Sequence, residues 1–322
     1  MSPSDPLSPA VSVPHERSAA PLVLLPAVLG LFGLGLAWRR AAPLLAIDDT
    51  LSWGVLLVAG LILAAVASHY ARAIRHRPAL LGHHMRDLPG MSALPAANLS
   101  LMLLAAALVR DHPGPALGVL ALAMASHLAL GLRLLIEPTL RPAARPGVTP
   151  VWHMVLVGWI ITTQTLTPLG LPGLSQAILS VTAPVAVAIW GHSLGHLAKG
   201  QVPAALRPLL AIHLAPASLM AVAAGMLDLP GLSLAFLALA SLILALLLAA
   251  AGWIVRTGFS PGWGAFTFPL AAYANALFVT GFAWPGLVVT LGASALTLIV
   301  AARLAHGLFQ SRPATAGPAH PS

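Results

Sequence analysis

An all-α integral membrane fold with ten spanning helices is predicted from three observations. Of 322 residues, 58% are hydrophobic and 7% charged, against about 25% charged in an ordinary soluble domain. The apolar residues, chiefly Leu, Ala and Val, fall into ten runs that are too long for buried helices of a soluble fold. The few basic residues sit in short connections between those runs, where they act as topology signals. The chain has no cysteine, which excludes disulfide scaffolds, thiolate metal sites and a Cys nucleophile. Its formal net charge of +8 is dispersed and forms no basic patch, so no nucleic-acid partner is expected.

Residues 1–20, rich in Ser, Pro and Ala, are predicted to be a disordered cytoplasmic tail, and 310–322 a second one. No cleavage site of signal-peptide type precedes the first apolar run, which is taken as a true span. The ten-helix transmembrane domain, 21–309, divides into segments 1 to 10: 21–38, 51–71, 92–109, 114–136, 150–167, 174–197, 207–227, 231–254, 264–283 and 285–306. The connections between segments 3 and 4, 7 and 8, and 9 and 10 are only a few residues long. The chain therefore groups as five helical hairpins of roughly sixty residues, in the manner of transporter repeats.

Counting Lys and Arg by side fixes the orientation. One side receives Arg17, Arg72, Arg75, Arg77, Arg86, Arg133, Arg141, Arg145, Lys199, Arg207, Arg256, Arg303 and Arg312, and the other Arg39, Arg40 and Arg110. Ten spans with both termini in the cytoplasm satisfy this asymmetry, and an error of one span would scramble it.

Prolines separate odd segments from even ones. Pro26 lies in segment 1, Pro95 in segment 3, Pro208 and Pro216 in segment 7 and Pro269 in segment 9, whereas Pro184 is the clear interior case among even segments. Segment 5 has Gly158 in its interior and Pro168 at its end. Proline removes a backbone hydrogen bond and bends a helix, and in lipid the freed carbonyl needs another partner. Bent odd segments would form an inner ring and straight even segments would face lipid. The plainer account is that proline is common in membrane helices.

The stretch Trp263-Gly264-Ala265-Phe266-Thr267-Phe268-Pro269-Leu270-Ala271 resembles the ninth-helix signature of the tellurite-resistance/dicarboxylate transporter family, which also holds plant slow-anion channels and fungal sulfite and malate permeases. Gly30 to Arg39 is similar to that family's Gly-rich first helix ending in Trp-Arg. His84 precedes Pro95 by eleven residues, as in the family, and Pro208 to Pro216 resembles its seventh helix. Met85 in place of a proline, Gly264 in place of a second tryptophan and the missing proline of segment 5 depart from the pattern. The resemblance implies five hairpins around a central pseudo-fivefold pore, assembly as a homotrimer, and a location in the bacterial inner (plasma) membrane. It further implies that Phe268, just before the proline of segment 9, plugs the pore.

An aromatic ring in a narrow apolar constriction blocks ions by excluding water, and a rotamer change can open it. The expected pore lining is neutral: Pro26, Pro95, Asn98, Thr163, Pro216, Thr267, Pro269 and Asn275, with Ser100, Thr162, Gln164 and Ser218 as further polar groups. Almost no formal charge is expected in the pore helices, because a buried cation would trap the ion. Each polar group is also an ordinary candidate for helix packing. Of the thirteen histidines, His127 and His213 lie deepest and are the ones that could titrate if a proton drives transport.

His192 and His196, four apart in segment 6, have spacing suited to a metal or haem but lack an acidic third ligand. No cofactor or metal is expected. The eight acidic residues fall in tails, loops or segment ends, with no catalytic constellation, so an enzyme is not expected. The sequence therefore predicts a permease for small inorganic or organic anions with lipid as its surroundings. A proton-coupled carrier or exporter of dicarboxylate, sulfite or tellurite stands as the alternative, and a His-ligated redox or metal protein as a remote one.

Overall fold

The computed structural model describes residues 20–85, 88–140 and 148–310, and every regular element among them is helical. Most of both predicted tails, and Arg17, Arg86, Arg141, Arg145 and Arg312 of the charge count, lie outside the described residues.

Even segments form straightforward α-helices: Thr50–His76, Pro113–Leu140, Pro172–Ala198, Pro230–Ala249 and Ala283–Gln310. Segment 8 is the partial exception, since its last turn separates as Ala251–Ile254. Three even helices begin with proline, which costs nothing at a first turn whose amides have no intrahelical acceptor.

Odd segments behave differently. Segment 1 opens with the 3-10 stretch Ala20–Leu24 and continues as α-helix Leu25–Leu45. Segment 7 passes from 3-10 Ala204–His213 to α-helix Leu214–Met226, and segment 9 from 3-10 Pro261–Phe266 to α-helix Thr267–Val279. Pro26 is thus the second residue of its α-stretch, and Pro216 and Pro269 the third of theirs. The sequence suggested helices bent about an interior proline. Instead each of these three prolines stands where a tight helix widens into an α-helix, a position at which its missing N–H withdraws no α-helical bond, while Pro208 lies inside the 3-10 stretch of segment 7. Segment 3 is continuous, Leu88–Leu108, with Pro95 inside it.

Segment 5 is the most irregular. A π-helical turn, His153–Val157, is followed by a 3-10 turn, Gly158–Thr162, and a single α-turn, Thr163–Leu166. Gly158 stands at the junction because a side chain there would run into Leu99 of segment 3. Among the described residues, eight helices are long and apolar enough to cross a membrane; segment 5 is present as the shorter apolar stretch His153–Leu166, and segment 9 is not among the eight.

Burial sorts the segments by parity. In the apolar windows of segments 1, 3 and 7, 67%, 56% and 83% of residues are buried; in segments 2, 4, 6, 8 and 10 the shares are 28%, 28%, 28%, 17% and 33%. Bulky side chains such as Leu57, Val181, Leu246 and Val288 point outward from the even helices. An apolar outer surface on that scale matches a multi-pass membrane protein, in which lipid covers what water would not.

Segment 1 ends later than expected. The helix passes Trp38 and runs through Leu45, closing at Ala46 with a left-handed φ of 51°. Arg39 and Arg40, expected in a loop, therefore lie within the helix, which is possible because both find partners on neighbouring segments. The glycines of the same helix press against segment 9: a Cβ on Gly30 would strike Thr267, and one on Gly33 would touch the Phe268 ring. Small residues permit close backbone approach where lipid offers no hydrophobic drive for helix association.

Candidate functional site

The five odd segments converge on one cavity. Each contributes apolar wall: Leu29 from segment 1, Leu99 from 3, Ile161 from 5, Leu219 from 7 and Phe268 from 9. The cavity holds about 60 Å³, room for only a few water-sized molecules. On the side toward the N-terminal ends of segments 1, 7 and 9 it adjoins a larger vestibule of about 350 Å³, lined by Leu22, Leu206, Leu209 and Ser260 among others. Pro26, Ser92, Leu209, Pro261 and Gly262 line both spaces, so the two adjoin.

Phe268 is 7% exposed, and its ring packs on Gly33 while facing the cavity. Three of the prolines singled out in the sequence, Pro26, Pro216 and Pro269, also line it. Pro95 faces a separate, smaller pocket beside Met85, Leu130 and Leu134. Thr267 ties segments 9 and 1 together, its hydroxyl donating to the carbonyl oxygens of Pro26 (3.1 Å) and Gly264 (2.9 Å).

The remaining polar candidates divide. Asn98 accepts a hydrogen bond from Ser126 on segment 4 at 2.9 Å, a contact between neighbouring helices away from the cavity. Thr162, Thr163, Ser100 and Ser218 turn their hydroxyls back to carbonyls of their own helices. Asn275 and Gln164 instead meet across the ring at Arg40: its Nη1 donates to Asn275 Oδ1 at 2.5 Å and its Nη2 to Gln164 Oε1 at 3.4 Å. Asn275 Nδ2 donates to the carbonyls of Gly33 and Ala271, which fixes the amide with its oxygen toward Arg40. The expectation that the inner helices carry almost no formal charge is thus corrected at Arg40. Because the Asn98 to Ser126 bond is a packing contact, its coupling in a double-mutant cycle is expected near ~0.6 kcal/mol, read by thermal unfolding in detergent, with anion flux unchanged by Asn98→Ala.

Histidines also form pairs. His153 Nε2 and His213 Nδ1 share a hydrogen bond of 3.0 Å, buried between segments 5 and 7, and His153 lines the cavity. Trp190 stacks obliquely on His153 and donates its indole N–H to the His213 carbonyl. The outer nitrogens, His153 Nδ1 and His213 Nε2, are buried without a protein partner. His127 sits apart, its Nε2 bonded to the Val155 carbonyl and its ring edge on Trp159. His192 and His196 do meet, Nε2 to Nε2 at 3.0 Å, but on the exposed face of segment 6, and no group of three metal-ligating side chains occurs among the described residues. Replacing both by alanine is expected to leave flux within twofold of wild type in liposomes.

The sequence marked His213 but not His153, which stands sixty residues away with no spacing signal to join them. It marked Arg40 only as a loop charge, and Arg39 as a loop charge and the last residue of the first-helix resemblance. Arg39 in fact stacks 4.5 Å over Trp53, donates to the Ala107 carbonyl and lies 3.7 Å from Asp49, which also meets Arg110 at 3.5 Å.

A family model for SLAC1, voltage-dependent anion channel, matches residues 21–305, which includes every element lining the cavity and the vestibule. No curated protein matches the chain. With nearly the whole described chain covered, this multi-pass helical protein belongs to the voltage-dependent anion channel family.

Proposed function

We propose that the chain is a passive conduit for small anions, closed by Phe268. The observation that carries this is the convergence of all five odd segments on one narrow apolar cavity, which adjoins a vestibule on one side and has the Phe268 ring in its wall. Segments 5 and 9, though interrupted, complete a ring of five inner elements with segments 1, 3 and 7, which supports ten spans as five hairpins about a pseudo-fivefold axis. Irregular backbone in a membrane is tolerated where it is buried in protein or lines a cavity, and these segments meet that condition. The charge asymmetry supports both termini in the cytoplasm of an inner membrane, with the vestibule facing inward. The outward leucines of the even helices suit lipid and a trimer of separately conducting subunits.

The test is the reversal potential of Phe268→Ala proteoliposomes under a salt gradient. A potential near that of chloride or nitrate, with no need for a pH gradient, is expected; a cation potential would refute an anion conduit. One observation favours the second reading, a proton-coupled carrier: the His153–His213 pair on the cavity wall offers a proton site. Under the passive reading His213→Ala leaves voltage-driven flux unchanged from pH 5 to 8. Loss of malate or sulfite uptake that depends on a pH gradient would instead favour the carrier.

A further inference from the structure

Arg40 lies beyond Phe268, on the side away from the vestibule, and its position follows from helix register. Gly33 packs on Phe268; seven residues on, Arg40 meets Asn275, which is itself seven residues after Phe268. Two turns at 1.5 Å per residue separate the backbone levels by about 10 Å, and the Asn275 side chain reaches back from the upper one to the Gly33 carbonyl. Segments 1 and 9 run side by side in the same direction, so the two contacts are successive rungs on one face. Gln164 joins the upper rung from segment 5, three residues past the cavity-lining Ile161.

The chemistry of this rung is unusual for an arginine inside a membrane protein. Its neighbours Arg39 and Arg110 both lie against Asp49, and Arg110 also against Asp111. Arg40 has no carboxylate within 4 Å among the described residues and is held by two neutral amide oxygens. A carboxylate would cancel its charge; an amide fixes the guanidinium and leaves the charge in place. An uncompensated cation in such a setting is costly, and charges kept inside membranes serve transport or ligand binding far more often than packing. Two of its five N–H donors reach the amides, which leaves three for a ligand.

We propose that Arg40, oriented by Asn275 and Gln164, is an anion-binding residue in the path beyond Phe268, selecting small oxyanions over halides. The inference rests on the conduit reading for its place in the path but not for the binding itself. A planar guanidinium engages two oxygens of nitrate, sulfite or a carboxylate at once, whereas chloride takes a single point contact. Two amides, in place of an acidic partner, keep the attraction moderate enough for the anion to leave again.

The experiment has a binding arm and a transport arm. Thermal unfolding of the full chain in detergent is titrated with sodium nitrate and with sodium chloride at constant ionic strength, the balance made up with sodium fluoride, a strongly hydrated halide that offers the guanidinium no pair of oxygens. Nitrate is expected to stabilise wild type at concentrations at least fivefold below chloride. Arg40→Gln should lose the nitrate response by tenfold or more, and Arg40→Lys, which keeps the charge but not the fork, should respond to the two anions alike. In Phe268→Ala liposomes the nitrate-to-chloride permeability ratio should fall toward one with Arg40→Lys. An unchanged nitrate response in Arg40→Gln overturns the proposal; if that variant does not fold, an unchanged nitrate preference in Arg40→Lys does so. A nitrate response lost with Arg40 while no variant conducts would leave the binding site standing and remove the conduit reading.

Discussion

Phe268→Ala is expected to raise anion conductance in planar bilayers or liposomes by at least tenfold over wild type. The ring lines a cavity of about 60 Å³ whose walls are almost wholly apolar. A constriction of that kind resists water and therefore ions, so removing the ring should wet it. Truncating a buried phenylalanine in a soluble core costs ~3–5 kcal/mol because a void is left; here water and ions fill the space, and the loss of thermal stability should be smaller. Phe268→Leu keeps apolar bulk and should conduct less than the alanine variant. If Phe268→Ala is strongly destabilised and silent, the side chain is core packing and the gate is refuted.

Gly30→Leu is expected to abolish recovery of folded, monodisperse protein. A Cβ at position 30 overlaps the Thr267 side chain and nears its backbone carbonyl carbon, at the point where Thr267 also donates to Pro26. Relief would require segments 1 and 9 to part, breaking the Gly33–Phe268 and Arg40–Asn275 contacts on the same face. Overpacking in a core usually costs ~1–3 kcal/mol, and more where backbone must move. Gly54→Leu is the matched control: its site on segment 2 has nothing within 4 Å, and size-exclusion profiles should match wild type. Equal profiles for both variants would contradict the close packing of segments 1 and 9.

The parity of the segments was legible in the sequence because prolines and glycines mark helices that must approach one another or change pitch, and Pro26, Pro216 and Pro269 do reach the cavity. The form of the change was not legible. Hydrophobic runs carry no signal that separates a 3-10 start from a kinked α-helix, since both bury the same residues. Arg39 and Arg40 were misplaced for a physical reason: two adjacent cations after an apolar run normally mark a membrane boundary, and the partners that retain them, Asn275, Gln164, Ala107 and Asp49, come from elsewhere in the chain. Asn98 and Asn275 looked alike in sequence, yet one pairs with an outer helix and the other faces the ring, a distinction set by helix rotation alone.

The most direct measurement uses the absence of cysteine from the chain. Single cysteines at Leu209 in the vestibule and Leu29 in the cavity are compared with Leu57, Val181 and Leu246 on the outward faces, using an anionic, water-soluble methanethiosulfonate on protein in liposomes. Leu209→Cys should react in wild type, Leu29→Cys only once Phe268 is alanine and the cavity is wet, and the outward positions not at all. Inert cysteines at 209 and 29 in both backgrounds, with labelling at 57, 181 or 246, would contradict a water path through the ring of odd segments.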